Sequence, residues 1–116
     1  WPAVKAVFFG DMPAPIRAVV PRKLRAGVIR KLEAREIWDG GAAACWRRFE
    51  MVLDQYEAVA PRHGFWCGES LCEADFALFG QLHSLRHPFT PWQAEQLAAR
   101  KTLSAWLDRV DRATRR

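Results

Sequence analysis

The sequence lacks the long apolar runs of a membrane protein and the alternating patterns of a β-protein. A membrane-spanning helix needs about 20 consecutive apolar residues, and every stretch of that length in this chain contains charges. Alternation flanked by hairpin turns such as Asn-Gly is also missing. The opening residues, WPAVKAVFFGDMP, are too short and too charged to resemble a signal peptide. Because the chain begins with Trp1 and not with Met, we expect an upstream segment.

Cysteine is scarce, with Cys45, Cys67 and Cys72 as the only three. An odd number at irregular spacing argues against the disulfide framework of a secreted domain. We therefore expect a reducing, cytoplasmic setting for a protein that has no membrane partner.

Positive charge is concentrated at one end of the chain. Residues 1–37 carry three acidic groups and eight basic ones, whereas residues 38–116 carry ten of each. The eight basic residues are Lys5, Arg17, Arg22, Lys23, Arg25, Arg30, Lys31 and Arg35. Such a cluster is compatible with nucleic-acid or anionic-lipid binding. We favour a solvated helix face that meets an acidic partner, because a nucleic-acid surface usually adds base-stacking aromatic residues among its cations.

Helical periodicity occupies most of the sequence, and Pro and Gly residues divide it. The pattern predicts a first helix that ends near Gly10 and a second over about residues 14–37, in which Pro21 causes a kink or a split. A third covers about 42–60, a fourth runs from Cys72 to about residues 83–86, and a fifth covers 91–100. A sixth contains Leu103, Trp106, Leu107 and Val110 at i, i+3, i+4 and i+7. We therefore predict an all-α fold, a five- to six-helix bundle that forms a single domain over residues 1–116.

The third helix has the clearest apolar stripe, and the loop after it is rich in aromatic residues. The stripe consists of Trp46, Phe49, Leu53, Tyr56 and either Val59 or Ala60. Its spacing predicts a buried face. In the loop over residues 61–68 we expect Phe65 and Trp66 to turn inward.

Asp75 raises the main functional question, because an acid stands where the fourth apolar helix begins. One interpretation is a zinc site formed by Cys67, Cys72, His83 and His87. With Cys72 and His83 at opposite ends of a helix, the two would lie about 16 Å apart, too far for one ion. We therefore predict no metal site.

A second interpretation is nucleophilic catalysis by Cys72, whose thiolate a helix N-terminus would favour. Ser70 and the histidines could complete a triad. No Gly-x-Ser-x-Gly pattern places a nucleophile beside a base, however. We predict no catalytic residue in this chain.

The third interpretation, which we prefer, is helix capping. With Cys72 at the N-cap, Asp75 occupies N3 and its carboxylate can accept the N-cap N–H. Alternatively, Ser70 caps the helix with Glu73, in a box shifted by two residues. Ser70, Cys72 and Asp75 are thus predicted to have structural roles.

The same stretch resembles the C-terminal helical domain of the glutathione transferase superfamily. The resemblance rests on FWCGESLCEAD at residues 65–75, the preceding helix with Tyr56, and the late Leu103-x-x-Trp106-Leu107-x-x-Val110 helix. It covers about residues 14–112. The family usually has Ser or Thr at the N-cap, where this chain has Cys72, a weaker acceptor.

The resemblance implies that the chemistry lies mainly in another domain. In that family a thioredoxin-like N-terminal domain binds the co-substrate glutathione and supplies the Tyr, Ser or Cys that activates its thiol. The helical domain adds a wall for a hydrophobic electrophile and part of a homodimer interface. Val4, Phe8, Phe9 and Met12 are the predicted wall residues. Packing against the other domain is the alternative role for these four.

A different class of function also fits the sequence. Helical domains of this kind occur in non-catalytic adaptors and protein-interaction modules, so the fold does not fix the activity. The basic excess in residues 14–35 favours this alternative. An upstream thioredoxin-like domain with an activating residue would favour the enzyme.

Overall fold

The computed structural model describes residues 1–35 and 38–115. This part contains six α-helices and no β-strand: α1 (Pro2–Phe9), α2 (Ala14–Glu33), α3 (Gly41–Val59), α4 (Glu73–His83), α5 (Pro91–Ala99) and α6 (Lys101–Thr114). A single 3-10 turn, Ser84–Arg86, follows α4. The predicted all-α fold is confirmed. None of the helices over the described ranges has both the length and the apolar character needed to cross a bilayer.

The chain divides into two compact units, Trp1–Phe49 and the remainder from Glu50. The first unit contains α1, α2 and the beginning of α3. Helix α2 continues through the buried Pro21, so that proline does not split it. The helix ends at Glu33, so the prediction that it continues is wrong for Ala34 and Arg35, and residues 36 and 37 of the predicted extension lie outside the described residues.

Two glycines lie where α3 begins, Gly40 just before it and Gly41 as its first residue. Gly40 and Gly41 both adopt the left-handed region, with φ of 78° and 76°. A Cβ atom added at Gly40 would lie 2.8 Å from the Cβ of Ala44. Both the backbone angle and the close approach therefore favour glycine at this turn.

The second unit has its core on α6. Leu103, Trp106, Leu107 and Val110 are all fully buried, as the predicted i, i+3, i+4, i+7 stripe requires. Helix α6 packs against α4 and α5, which contribute the buried Leu82 and Leu97. Burial of a side chain of this size stabilises the folded state by about 1.5–3 kcal/mol.

The predicted buried stripe of α3 is only partly buried. Leu53 and Ala60 are inside, but Trp46 is 42% exposed and Val59 is 67% exposed. Only the part of α3 from Glu50 onward belongs to the second unit, so the buried section of the stripe begins at Leu53. The prediction of a buried Trp46 is therefore wrong. Its ring instead contacts the ring of Phe49 edge-on, at a centroid distance of 6.3 Å.

Helix α6 obtains its N-terminal cap from α3. The carboxylate of Glu57 accepts the backbone N–H groups of Thr102 at 3.0 Å and Leu103 at 2.8 Å. Burial raises the pKa of the Glu57 carboxyl, but the N–H groups of Leu103 and Thr102 and the charge of Arg100 together leave it below its ordinary value. Glu57 thus does for α6 what a local Ser or Asp does for most helices.

Candidate functional site

The beginning of α4 is organised around the carboxylate of Asp75. Cys72 is the N-cap residue, in an extended conformation with φ −129° and ψ 173°, and Asp75 is the N3 residue. Oδ2 of Asp75 accepts the backbone N–H of Cys72 at 3.0 Å, and the Cys72 thiol lies 3.2 Å from the same oxygen. The carboxylate half of a capping box is therefore present, with a cysteine in the position where Ser or Thr is common.

The second oxygen of Asp75 bonds to groups far from the helix start. Oδ1 accepts the backbone N–H of Trp66 at 3.0 Å and the indole N–H of Trp106 at 2.9 Å. The two indole rings contact each other edge-on at a centroid distance of 5.4 Å. Asp75, Trp66, Cys72 and Trp106, which we call the Asp75 cluster, therefore join α4, the preceding loop and α6.

The environment of Asp75 decides its protonation state. The residue is fully buried, and burial raises the pKa of its carboxyl. The N–H groups of Trp66 and Cys72, the Trp106 indole and the Cys72 thiol together outweigh burial and hold that pKa below its ordinary value. Asp75 is thus a carboxylate at neutral pH whose two oxygens already accept bonds from protein groups. It has no proton to donate and no exposed oxygen for a substrate or an ion.

The residue proposed as an alternative cap lies outside the helix. Ser70 is exposed, two positions ahead of the N-cap, and Glu73 is the first residue of α4. The box shifted by two residues is therefore not the arrangement that the structure has. The shift fails because the helix begins at Glu73, directly after the extended backbone of Cys72.

The four residues considered for zinc do not converge. Cys67 and Cys72 lie together, with their Sγ atoms 2.8 Å apart. His83 stacks on Phe79 at the other end of α4, and His87 lies beyond the 3-10 turn against Phe89. Within residues 1–35 and 38–115, no group of three or more His, Cys, Asp or Glu side chains is arranged to hold a metal ion.

The four predicted wall residues lie on one short segment of the first unit. Val4, Phe8 and Phe9 are on α1, and Met12 follows it. Phe8 is 62% exposed, whereas the other three are half-buried. None of the four lines the open cavity of about 560 Å³ in the same unit, which is bordered by Glu33, Trp38, Asp39, Gly40 and Gly41.

Two contributors to the site were missed by sequence reasoning. The sequence predicts Trp106 only as a member of an apolar stripe and Trp66 only as a ring that turns inward. The sequence does indicate that a buried indole N–H at Trp106 needs an acceptor, but it does not single out Asp75, 31 positions away, as that acceptor. The role of the Trp66 backbone had no signal in the sequence, since every residue except proline carries the same N–H group.

The chain is all-α, and the Asp75 carboxylate at the start of α4 is buried and hydrogen-bonded through both oxygens. Asp75 therefore stabilises the structure of this domain. A family model described as glutathione S-transferase, C-terminal domain, matches residues 31–109. The chain therefore belongs to the family of glutathione S-transferase C-terminal domains. No curated protein and no solved structure matches it significantly. The four predicted wall residues lie ahead of the matched range.

Proposed function

We propose that the chain serves as the helical C-terminal domain of a glutathione transferase-like protein. The family match over residues 31–109 is the observation that carries this proposal. A preceding thioredoxin-like domain would bind the co-substrate glutathione and ionise its thiol. The reaction is attack of the glutathione thiolate on an electrophilic carbon, with release of the leaving group.

The state of Asp75 supports placing the chemistry outside this chain. A general base must accept a proton from its substrate, and a nucleophile must reach it. Asp75 can do neither, because it is fully buried and accepts bonds from Trp66, Cys72 and Trp106. Its function is to hold the start of α4 against α6.

The proposed contribution to substrate binding is an apolar wall for the hydrophobic electrophile. The wall consists of Val4, Phe8, Phe9 and Met12. Helix α1 supports this role because it has no buried residue and exposes most of the Phe8 ring. An aromatic side chain of this kind can bury an apolar co-substrate with a favourable free energy of about 1.5–3 kcal/mol.

Two further elements of the proposal come from the family. We propose that the parent protein is a homodimer to which this domain contributes contacts. We also propose a cytoplasmic location, which the odd number of cysteines supports.

The wall is tested in the protein that includes the upstream domain. Phe8→Ala should lower kcat/KM for a hydrophobic electrophile roughly tenfold, because it removes apolar contact area. The KM for glutathione should stay unchanged. Phe76→Ala is the matched control, since Phe76 is also an exposed phenylalanine (52%) but lies on α4 in the second unit. An equal effect of both variants, or an effect confined to glutathione, would contradict the wall.

A second candidate function, a non-catalytic adaptor, is favoured by the basic residues of the first unit. All eight basic side chains of residues 1–37, from Lys5 to Arg35, are exposed. An exposed positive surface attracts an acidic partner and gives a salt-dependent association rate. The upstream sequence separates the two functions. A thioredoxin-like domain with an activating Tyr, Ser or Cys favours the transferase, and a domain without that residue favours the adaptor.

A further inference from the structure

Two thiols meet in the loop that leads into α4. The Sγ atoms of Cys67 and Cys72 are 2.8 Å apart, and no disulfide joins them. Cys67 is exposed and Cys72 is half-buried. A small oxidant can therefore reach one thiol of the pair directly, and the second thiol stands beside it.

We propose that Cys67 and Cys72 form a reversible dithiol–disulfide pair that exchanges with low-molecular-weight disulfides. The proposal rests on the positions of these two side chains and is independent of the function proposed above. It assigns a role to Cys67, which lies outside the Asp75 cluster.

The backbone on both sides holds the two thiols close together. Before Cys72, the N–H of Phe65 donates to the carbonyl of Gly68 at 2.7 Å, and the N–H of Gly68 donates to the carbonyl of Phe65 at 3.2 Å, so that Cys67 lies in a closed turn. Cys72 is held by the bond from its own N–H to Asp75. A disulfide bond measures about 2.05 Å, so the sulfur atoms need to approach by only about 0.8 Å. Such preorganisation favours an intramolecular bond over a stable bond to an external thiol.

The hydrogen bonds of the pair set its reactivity. The Cys72 thiol can donate its single proton to Oδ2 of Asp75, which lies 3.2 Å from the Cys72 sulfur. The hydrogen bond with Cys72 raises the pKa of the Cys67 thiol, and burial and the charges of Cys72 and Asp75 raise it further. Because the thiolate is the attacking species, exchange at neutral pH is slow and accelerates as pH rises.

The exchange proceeds in two balanced steps. The exposed Cys67 loses its proton to solvent, and its thiolate attacks one sulfur of the external disulfide RSSR and expels RS⁻. The Cys72 thiol then loses its proton, attacks the sulfur of Cys67 and expels the second RS⁻. Two protein thiols are oxidised, and one RSSR is reduced to two RSH after protonation.

Tryptic mapping tests the pair without any mutation. Cleavage after Arg62 and Arg86 yields one peptide, residues 63–86, that contains both Cys67 and Cys72, whereas Cys45 falls in a separate peptide. The chain is incubated with excess oxidised glutathione at pH 8, acid-quenched, alkylated and digested. We expect the 63–86 peptide to lose two hydrogen atoms, to carry no glutathionyl group and to take up no alkylating agent. Dithiothreitol should restore two alkylated thiols.

The control variant is Cys67→Ser, which removes the exposed thiol. Its 63–86 peptide should never lose two hydrogen atoms, and Cys72 should either gain one glutathionyl group or stay alkylated. In the wild-type chain, a stable glutathionyl adduct as the main product, or two alkylated thiols at equilibrium, would overturn the proposal.

The pH dependence of the exchange tests the role of the protonated thiols. The second-order rate constant of the reaction with oxidised glutathione should rise roughly tenfold between pH 7 and pH 8, and a rate constant independent of pH would overturn that role.

Discussion

The indole N–H of Trp106 donates to Oδ1 of Asp75 at 2.9 Å, across 31 positions of sequence. Through this bond the middle of α6 holds the first turn of α4. Trp66 adds its backbone N–H to the same oxygen, so the intervening loop is fixed at the same point. Arg109, one turn further along α6, donates to the carbonyls of Pro61 and Gly64 and holds the beginning of that loop. One face of α6 therefore organises both the loop and the helix that follows it.

Replacing the buried carboxylate should strongly destabilise the fold. Asp75→Asn replaces one of the two accepting carboxylate oxygens with an amide NH2 group, and it leaves the buried donors to that oxygen without a partner. We expect the free energy of unfolding to fall by about 2–4 kcal/mol. Equilibrium urea unfolding of the chain measures this change.

Glu73→Gln is the matched control for that prediction. Glu73 is exposed in the same first turn of α4, where its charge is favoured by the helix dipole. Its replacement should cost less than about 1 kcal/mol. Equal losses in the two variants would show that Asp75 acts through its charge at the helix end and not through its bonds.

The Trp106 side chain should control the pKa of Asp75. Trp106→Phe removes the indole donor, so the pKa of the Asp75 carboxyl should rise towards its ordinary value. Trp66→Phe should leave that pKa almost unchanged, because Trp66 donates through its backbone. Carbon-detected NMR titration of the Asp75 carboxyl distinguishes the two variants. A similar rise in both would mean that ring packing, and not the indole bond, sets the pKa.

Acid should destabilise the protein through Asp75 and Glu57. Both carboxyls have a pKa in the folded state below the ordinary values of about 3.9 and 4.3 that they regain on unfolding. Their stabilisation is therefore complete above about pH 5 and is lost as pH falls through the folded-state pKa values. Urea unfolding at pH 7, 5, 4 and 3 should show this decline. The decline should be shallower in Glu57→Gln, and an equally steep one would exclude a contribution from Glu57.

The cap that α3 provides for α6 should be worth more than the neighbouring surface ion pair. Glu57→Gln weakens the acceptor of two backbone N–H groups and should cost about 1 kcal/mol. Asp54→Asn removes the charge that pairs with Arg100, whose Nε and Nη2 donate to Asp54 Oδ1 at 3.0 and 2.8 Å. Because the Asp54 side chain is 67% exposed, this change should cost about 0.5 kcal/mol or less. Thermal unfolding of the two variants ranks them. The reverse order would show that Arg100 and Asp54 fix the start of α6.

The chain by itself should not catalyse glutathione conjugation. The residue type that activates the thiol is expected in the upstream domain, and Asp75 cannot substitute for it because it is buried and fully bonded. An assay with glutathione and a standard aromatic electrophile should give no turnover above the uncatalysed rate. Measurable turnover by the purified chain would require an activating group within these residues.

Sequence patterns were most informative where one helix face repeats regularly. The stripe of α6 and the start of α4 could be predicted because apolar spacing and a short-range capping pattern depend on nearby residues only. The stripe of α3 was less reliable. The same spacing includes the buried Leu53 and the exposed Trp46, and only the packing partners at each end distinguish them.

The Asp75 cluster shows the same division between local and distant information. The three-residue spacing predicts Cys72 as a partner of the Asp75 carboxylate. It predicts no partner for Oδ1 of Asp75, because Trp106 lies 31 positions away. Likewise, no local pattern could indicate that Glu57 would cap a helix that begins at Lys101. Long-range hydrogen bonds form only once the chain has folded, when side chains remote in sequence become neighbours.

The sequence by itself determined an all-helical chain, the positions of its helix breaks and the acid at the start of α4, because these depend on intervals of a few residues. Only the tertiary structure decided that this acid is fully buried, bonded through both oxygens and therefore ionised. The physical reason is that burial and hydrogen bonding act on a carboxyl in opposite directions. Their balance depends on donors that only folding brings within 3 Å of it.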